Sequence, residues 1–268
     1  MKTYHRYVAL GDSQTEGLGD GDDVSGYRGW ADRLAEHLAA ANPDLLYANL
    51  AVRGRQAARI RDEQLPVALE LRPDLATVVA GMNDVIRPGY RAAEVAGALE
   101  DMFAGLTAIG AHVVTATFPD ITRVAPLTRP LLPRVVDLNE RIREAAARHG
   151  VTVVDMYPLA FVTDARMWHE DRLHISSVGH ARLAAAMAHA LSLPGSDSTW
   201  MSPLPTLPVP AAWRTAATEL RWLVTFARPW IGRRLRGRSS GDGRTAKRPL
   251  LAPPAMNDQP MPGKSGIG

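Results

Sequence analysis

Cysteine is absent from this 268-residue chain. That absence excludes a disulfide scaffold, a thiolate nucleophile and any cysteine-ligated zinc or iron–sulfur site. Long apolar runs are missing as well, since no stretch approaches the roughly 18 consecutive apolar residues that a membrane-spanning helix requires. The N-terminal run Met1-Lys2-Thr3-Tyr4-His5-Arg6-Tyr7 lacks the apolar centre of a secretory signal and passes within a few residues into Val8-Ala9-Leu10, which reads as a strand. The expectation is a cytoplasmic protein whose membrane contact, if any, is peripheral.

Excess charge is also missing, but only on average. The formal net charge is +3, yet residues 1–194 hold 20 Lys/Arg against 24 Asp/Glu, and residues 195–268 hold 11 against 4. The second segment also contains 10 of the 20 prolines. A mildly acidic body therefore carries a basic, proline-rich tail. The 46% hydrophobic content is ordinary for a globular chain.

Within the body, short apolar runs alternate with stretches of helical period. Runs at 7–10, 45–50, 75–80, 112–117 and 151–155 are short and do not alternate with polar residues, as suits strands buried on both faces of a parallel sheet. Helical patterning occupies 29–41, 56–71, 91–109, 134–149 and 178–193, with Leu34, Leu38 and Ala41 marking one stripe. This alternation predicts an α/β fold, a three-layer α/β/α sandwich around a parallel five-stranded sheet with right-handed crossovers.

Ligands of open α/β sheets bind beyond the carboxyl ends of the strands, so the residues following each predicted strand carry the most information. The first strand is followed by Gly11-Asp12-Ser13-Gln14-Thr15-Glu16-Gly17, and the second by a loop containing Arg53-Gly54. Gly81-Met82-Asn83-Asp84 follows the third, and Asp171-Arg172-Leu173-His174 lies past the fifth. A hydroxyl, a close-approach glycine, an amide and an acid–base pair thus fall at one sheet edge. Ser13 needs a base to become nucleophilic, and His174 is the candidate. Asp171, three residues earlier, is placed to hold the imidazole Nδ1 proton. The backbone N–H groups of Ser13 and Gly54 and the Asn83 amide are candidate donors to an oxyanion. Asp12 reads as a structural residue of the turn, and Arg53 as a surface arginine in preference to a substrate contact.

These four blocks, in this order, resemble those of the SGNH/GDSL hydrolases. The resemblance covers about residues 5–193 and implies a flavodoxin-like fold and ester hydrolysis through an acyl-serine intermediate, with no metal or other cofactor. It assigns the catalytic roles to Ser13, Asp171 and His174 and the oxyanion hole to Ser13, Gly54 and Asn83. The family's leucine after Gly-Asp-Ser is replaced here by Gln14. The implied partner is a small-molecule or lipid acyl ester. Loops 119–133 and 161–172 are the expected walls of its binding site, although for any individual residue in them ordinary loop packing is the favoured reading.

Competing motifs fail. Gly-x-Ser-x-Gly is absent, Gly263-Lys264-Ser265 has Asp258 where a phosphate loop needs glycine, and the histidines lack zinc-protease spacing. Two rival readings remain: a flavodoxin-like phosphate- or flavin-binding module using 13–17, and a catalytically idle scaffold of the same shape with a membrane-associating tail.

The domain organisation expected is a catalytic domain over 1–194, a proline-rich linker with an amphipathic basic helix over 195–236, and a disordered tail over 237–268. Over 211–228 an apolar stripe runs through Trp213, Leu220, Leu223 and Val224, with Trp222 and Phe226 on the far side and an arginine block at 233–238. That combination makes peripheral contact of 211–238 with an anionic membrane an expectation secondary to docking on the body. Nucleic-acid binding ranks third, since a short basic run without a reading fold is weak evidence for it.

Overall fold

The five apolar runs become five parallel strands. A computed structural model of the chain describes residues 2–157, 159–206, 221–227 and 240–254. The parallel strands are β1 (Arg6–Gly11), β4 (Leu46–Asn49), β5 (Leu75–Val79), β6 (His112–Ala116) and β7 (Thr152–Val154). A small hairpin of β2 (Gly21–Asp22) and β3 (Gly26–Tyr27) lies outside the sheet. The sheet order is β7-β6-β5-β1-β4-β8, the last being an edge strand at Arg248–Ala252, so β1 sits between β4 and β5. Tyr7, Val8, Ala9 and Leu10 of β1 are wholly buried, as are Leu75, Ala76 and Val78 of β5. Full burial of each large apolar side chain contributes about 1.5–3 kcal/mol, which explains why these runs do not alternate with polar residues.

From β1 the chain steps to β4 on one side, then returns past β1 to β5 on the other. Right-handed crossovers in opposite directions place successive helices on opposite faces. Accordingly α2 (Trp30–Ala41) packs with α7 (Ser177–Ala190), while α3 (Ala57–Leu71), α5 (Ala92–Ala108) and α6 (Leu132–His149) pack in a row. Two one-turn helices, α1 (Ser13–Glu16) and α4 (Met82–Val85), begin just after β1 and β5. The reversal of direction at β1 opens a crevice between the loops that follow β1, β4 and β5. These loops carry Ser13, Gly54 and Asn83.

Residues 237–268 were expected to lack packed structure, and the sheet to have five strands. Instead Arg248–Ala252 forms β8, a sixth strand antiparallel to β4 at the sheet edge. An edge strand tolerates Pro249, Leu251 turns toward the core and Leu250 outward. Arg248 donates to the Tyr47 carbonyl at 3.0 Å and lies over the Tyr47 ring. Lys247 pairs with Asp32 at 2.6 Å, and Arg244 with Asp23 at 2.8 Å. Three of the basic residues that gave the tail its disordered composition, Arg244, Lys247 and Arg248, are here the clamps that hold a five-residue strand to an acidic body.

Of the helix expected over 211–228, only 221–227 lies among the described residues, where Leu223–Ala227 forms a π-helical turn. The arginine block at 233–238 lies outside them. No helix among the described residues is long and apolar enough to cross a membrane.

Candidate active site

The turn after β1 is shaped by close packing. A Cβ on Gly11 would stand 2.3 Å from Thr15 Oγ1 and 2.7 Å from the Val79 carbonyl oxygen, so only glycine lets α1 start where it does. The Gln64 side-chain amide on α3 accepts from Gly11 N–H and donates to Gly11 C=O, both at 2.9 Å. Asp12 then caps α1, accepting from Gln14 N–H at 3.2 Å. Ser13 is the first helical residue.

Its Oγ lies 2.9 Å from His174 Nε2, although 161 residues separate the two. His174 Nδ1 lies 2.7 Å from Asp171 Oδ2. The other oxygen of Asp171 accepts from the backbone N–H of Leu173 at 2.9 Å and of His174 at 3.0 Å. Burial works to raise the Asp171 pKa, but the hydrogen bonds and charge of His174 outweigh it and bring the carboxyl down to about 2. The turn is closed by Arg172, a non-glycine residue held at φ 58°, a conformation that typically costs about 1–2 kcal/mol. It brings Asp171 and His174 to the same side.

Asn83, second residue of α4, donates through Nδ2 to Asp12 Oδ2 at 2.9 Å and to the Arg55 carbonyl at 3.1 Å. Asp12 therefore spans from the serine turn to the Asn83 turn. Burial pushes its pKa up to about 6, against the opposing hydrogen bond from Gln14 and the charge of His174. Gly54 has φ 76°, a left-handed conformation that favours glycine. It is bracketed by Arg53 and by Arg55, whose carbonyl meets Asn83. The five expected site residues thus lie on three adjoining loops and the 171–174 turn.

Several residues that hold this arrangement carry no motif in the sequence. Arg53 is buried rather than a surface arginine. Glu16 receives the Arg53 backbone N–H at 2.7 Å and its guanidinium at 2.6 and 2.9 Å, and Tyr27 covers the guanidinium at 4.7 Å. Asp84 accepts from Ala57 N–H at 3.0 Å and Gln56 Nε2 at 3.2 Å, tying the start of α3 to the Asn83 turn. Trp222, expected on an exposed helix face, is buried: its indole N–H donates to the Asp171 carbonyl at 3.0 Å, and Arg172 stacks on its ring at 4.9 Å. A glutamate three residues past the serine and an arginine before the loop glycine were visible in the sequence, but nothing in their spacing paired them.

Of the apolar side chains in the two loops expected to line a substrate pocket, several pack inward, while most other residues of 119–133 and 161–172 are partly or fully exposed. Val124, Phe161, Val162, Met167 and Trp168 are buried in the core, and Leu127 is the most exposed apolar side chain among them.

Comparison with known proteins agrees with this architecture. The GDSL-like Lipase/Acylhydrolase family matches over residues 9–182, and the chain belongs to that family. It is accordingly a serine ester hydrolase, and its substrates are small-molecule esters. No curated protein matches the chain. Among solved structures it is similar to a lipase/acylhydrolase from Enterococcus faecalis at 23% identity and TM-score 0.59, covering 72% of this chain and 100% of that one. It is similar to TesA at 24% identity and TM-score 0.58, covering 70% and 98%. It also resembles Axe2, an acetylxylan esterase from Geobacillus stearothermophilus, at 18% identity and TM-score 0.60, covering 74% and 100%. At these identities the likeness to the solved structures is one of fold.

Proposed function

We propose that this chain hydrolyses carboxylic esters through an acyl-Ser13 intermediate, with His174 as general base and Asp171 as the carboxylate that orients it. The observation that carries the reading is the continuous chain of contacts from Ser13 Oγ through the imidazole to Asp171, at 2.9 and 2.7 Å. With Nδ1–H donating to a carboxylate held ionised, Nε2 is left to accept the Ser13 proton. Oγ attacks the ester carbonyl, and His174 passes the proton to the departing alkoxide, releasing alcohol. Water, deprotonated by the same imidazole, then attacks the acyl-serine, and the imidazolium returns the proton to Ser13 Oγ as the acid is released.

Negative charge on the carbonyl oxygen is met by the Ser13 and Gly54 backbone N–H groups and by Asn83 Nδ2. In the resting arrangement the Asn83 amide faces Asp12 and Arg55, so the oxyanion takes over the Nδ2–H that is otherwise turned to the Arg55 carbonyl. Losing one such donor typically costs about 2.7–4 kcal/mol of transition-state stabilisation.

Turnover of short p-nitrophenyl esters tests this reading. The protein releases p-nitrophenolate with an initial burst of one equivalent wherever deacylation is slow, and Ser13→Ala abolishes both burst and turnover. Unchanged turnover in Ser13→Ala would overturn the assignment.

A further inference from the structure

The proposed chemistry gives Gln14 nothing to do, yet its side chain reaches the element that carries the base. Gln14 Nε2 donates to the Leu173 carbonyl at 2.9 Å, and Gln14 Oε1 accepts from the Ile175 backbone N–H at 3.2 Å. These two peptide groups flank His174 on either side. A primary amide offers one donor and one acceptor a fixed distance apart, and the 173–175 backbone presents the complementary pair along one edge. Leucine, which the family's pattern puts at this position, can fill the space but can form neither bond.

The placement is direct. Gln14 is the covalent neighbour of Ser13, and its own backbone N–H is held by Asp12. Its amide therefore links the helix bearing the nucleophile to the turn bearing the base. Several other contacts of that turn are internal to its own loop: His169 N–H to the His174 carbonyl at 2.8 Å, the Trp168–Ile175 bridge, and the Asp171 carboxylate. Such contacts shape the turn without fixing its distance from Ser13.

We propose that Gln14 is a positioning residue that sets the distance and angle of the His174 imidazole relative to Ser13 Oγ through paired hydrogen bonds to the peptides on both sides of it. This inference rests on the serine–histidine reading above. A displacement of about 1 Å between reacting groups costs on the order of 100-fold in rate, so a tether at this point acts on the chemical step and leaves ester binding nearly untouched.

The test is Gln14→Leu, measured for kcat and KM on p-nitrophenyl acetate and for the rate of Ser13 labelling by a fluorophosphonate, alone and combined with His174→Ala. The expected result is a fall of about 10- to 100-fold in kcat and in labelling rate, with KM changed by less than about twofold. In the His174→Ala background, Gln14→Leu changes the residual rate by less than about twofold, because the group it positions is gone. A folded Gln14→Leu protein with kcat within about twofold of the parent would overturn the proposal. Equal losses in both backgrounds would also overturn it, since a general structural role acts with or without the imidazole. Should Gln14→Leu fail to fold, Gln14→Met, unbranched and of similar length, is read by the same two criteria. A parent protein that neither turns over ester nor labels at Ser13 would refute the triad reading itself, whereas an active parent with an unaffected Gln14→Leu refutes this inference alone.

Discussion

Removing the Glu16 carboxylate strands a buried cation beside the loop that carries Gly54. The Glu16 and Arg53 side chains are only 8% and 7% exposed, and their closest approach is 2.6 Å. Glu16 accepts two guanidinium bonds and the Arg53 backbone N–H. Among the described residues, the guanidinium in Glu16→Ala keeps a 3.4 Å contact with the half-exposed Asp23 and its contacts with the Tyr27 side chain. Breaking a buried pair by deleting one partner typically costs about 3–5 kcal/mol, and the remaining Asp23 and Tyr27 contacts put the expectation at the low end, about 3 kcal/mol. Glu16→Ala with Arg53→Met removes both charges and should recover much of the loss, because the cost comes from the unpaired cation. Urea unfolding of the parent, the single variants and the double variant, with a shared m-value, measures each difference. Glu16→Ala should also lower kcat, since the Arg53 N–H adjoining Gly54 loses its acceptor. A destabilisation of Glu16→Ala below about 1 kcal/mol, the range of an exposed pair, would refute the reasoning.

Three further outcomes are expected. Asp171→Asn should leave the fold intact and lower kcat by about 10,000-fold, as loss of the orienting carboxylate does in serine triads; steady-state kinetics beside a circular dichroism spectrum checks both halves. Asp12, raised to about 6 by burial, holds a proton in the folded state that the unfolded chain releases near its ordinary value. It therefore contributes stability present below about pH 4 and lost as pH rises through about 6, roughly 3 kcal/mol in all, and urea midpoints from pH 4 to 7 should slope less in Asp12→Asn than in the parent. At Gly241 a Cβ would stand 1.9 Å from the Arg53 carbonyl oxygen, so Gly241→Val should push the C-terminal segment off the Arg53 loop and lower stability by about 1–3 kcal/mol, read as a drop in Tm.

Much of the site was legible because its chemistry sits in compact blocks at strand ends. Ser13, Asn83 and the Asp171/His174 pair each announce themselves within four residues, and β1, β4 and β5 are apolar enough to locate the sheet edge they share. What stayed hidden depends on pairing across distance. Glu16 and Arg53 are 37 residues apart, Gln14 and Leu173 are 159 apart, and no periodicity links them. The β2–β3 hairpin is two residues per strand, held by the Asp22 carboxylate on the N–H groups of Val24 and Ser25, too short for any pattern to register. β8 was concealed differently. Its five residues lie in a stretch whose average composition is that of a solvated tail, and its docking depends on acidic partners at Asp23 and Asp32. Averaging charge over the tail showed the basic excess but not what it binds.

In the proposed mechanism Ser13 is the nucleophile and His174 activates it. A fluorophosphonate probe reacts covalently with an activated serine, and digestion followed by mass spectrometry locates the adduct. The expected result is a single adduct on Ser13 in the parent, and its loss in His174→Ala while that variant stays folded. An adduct on another serine, or undiminished labelling of Ser13 without His174, would contradict that mechanism.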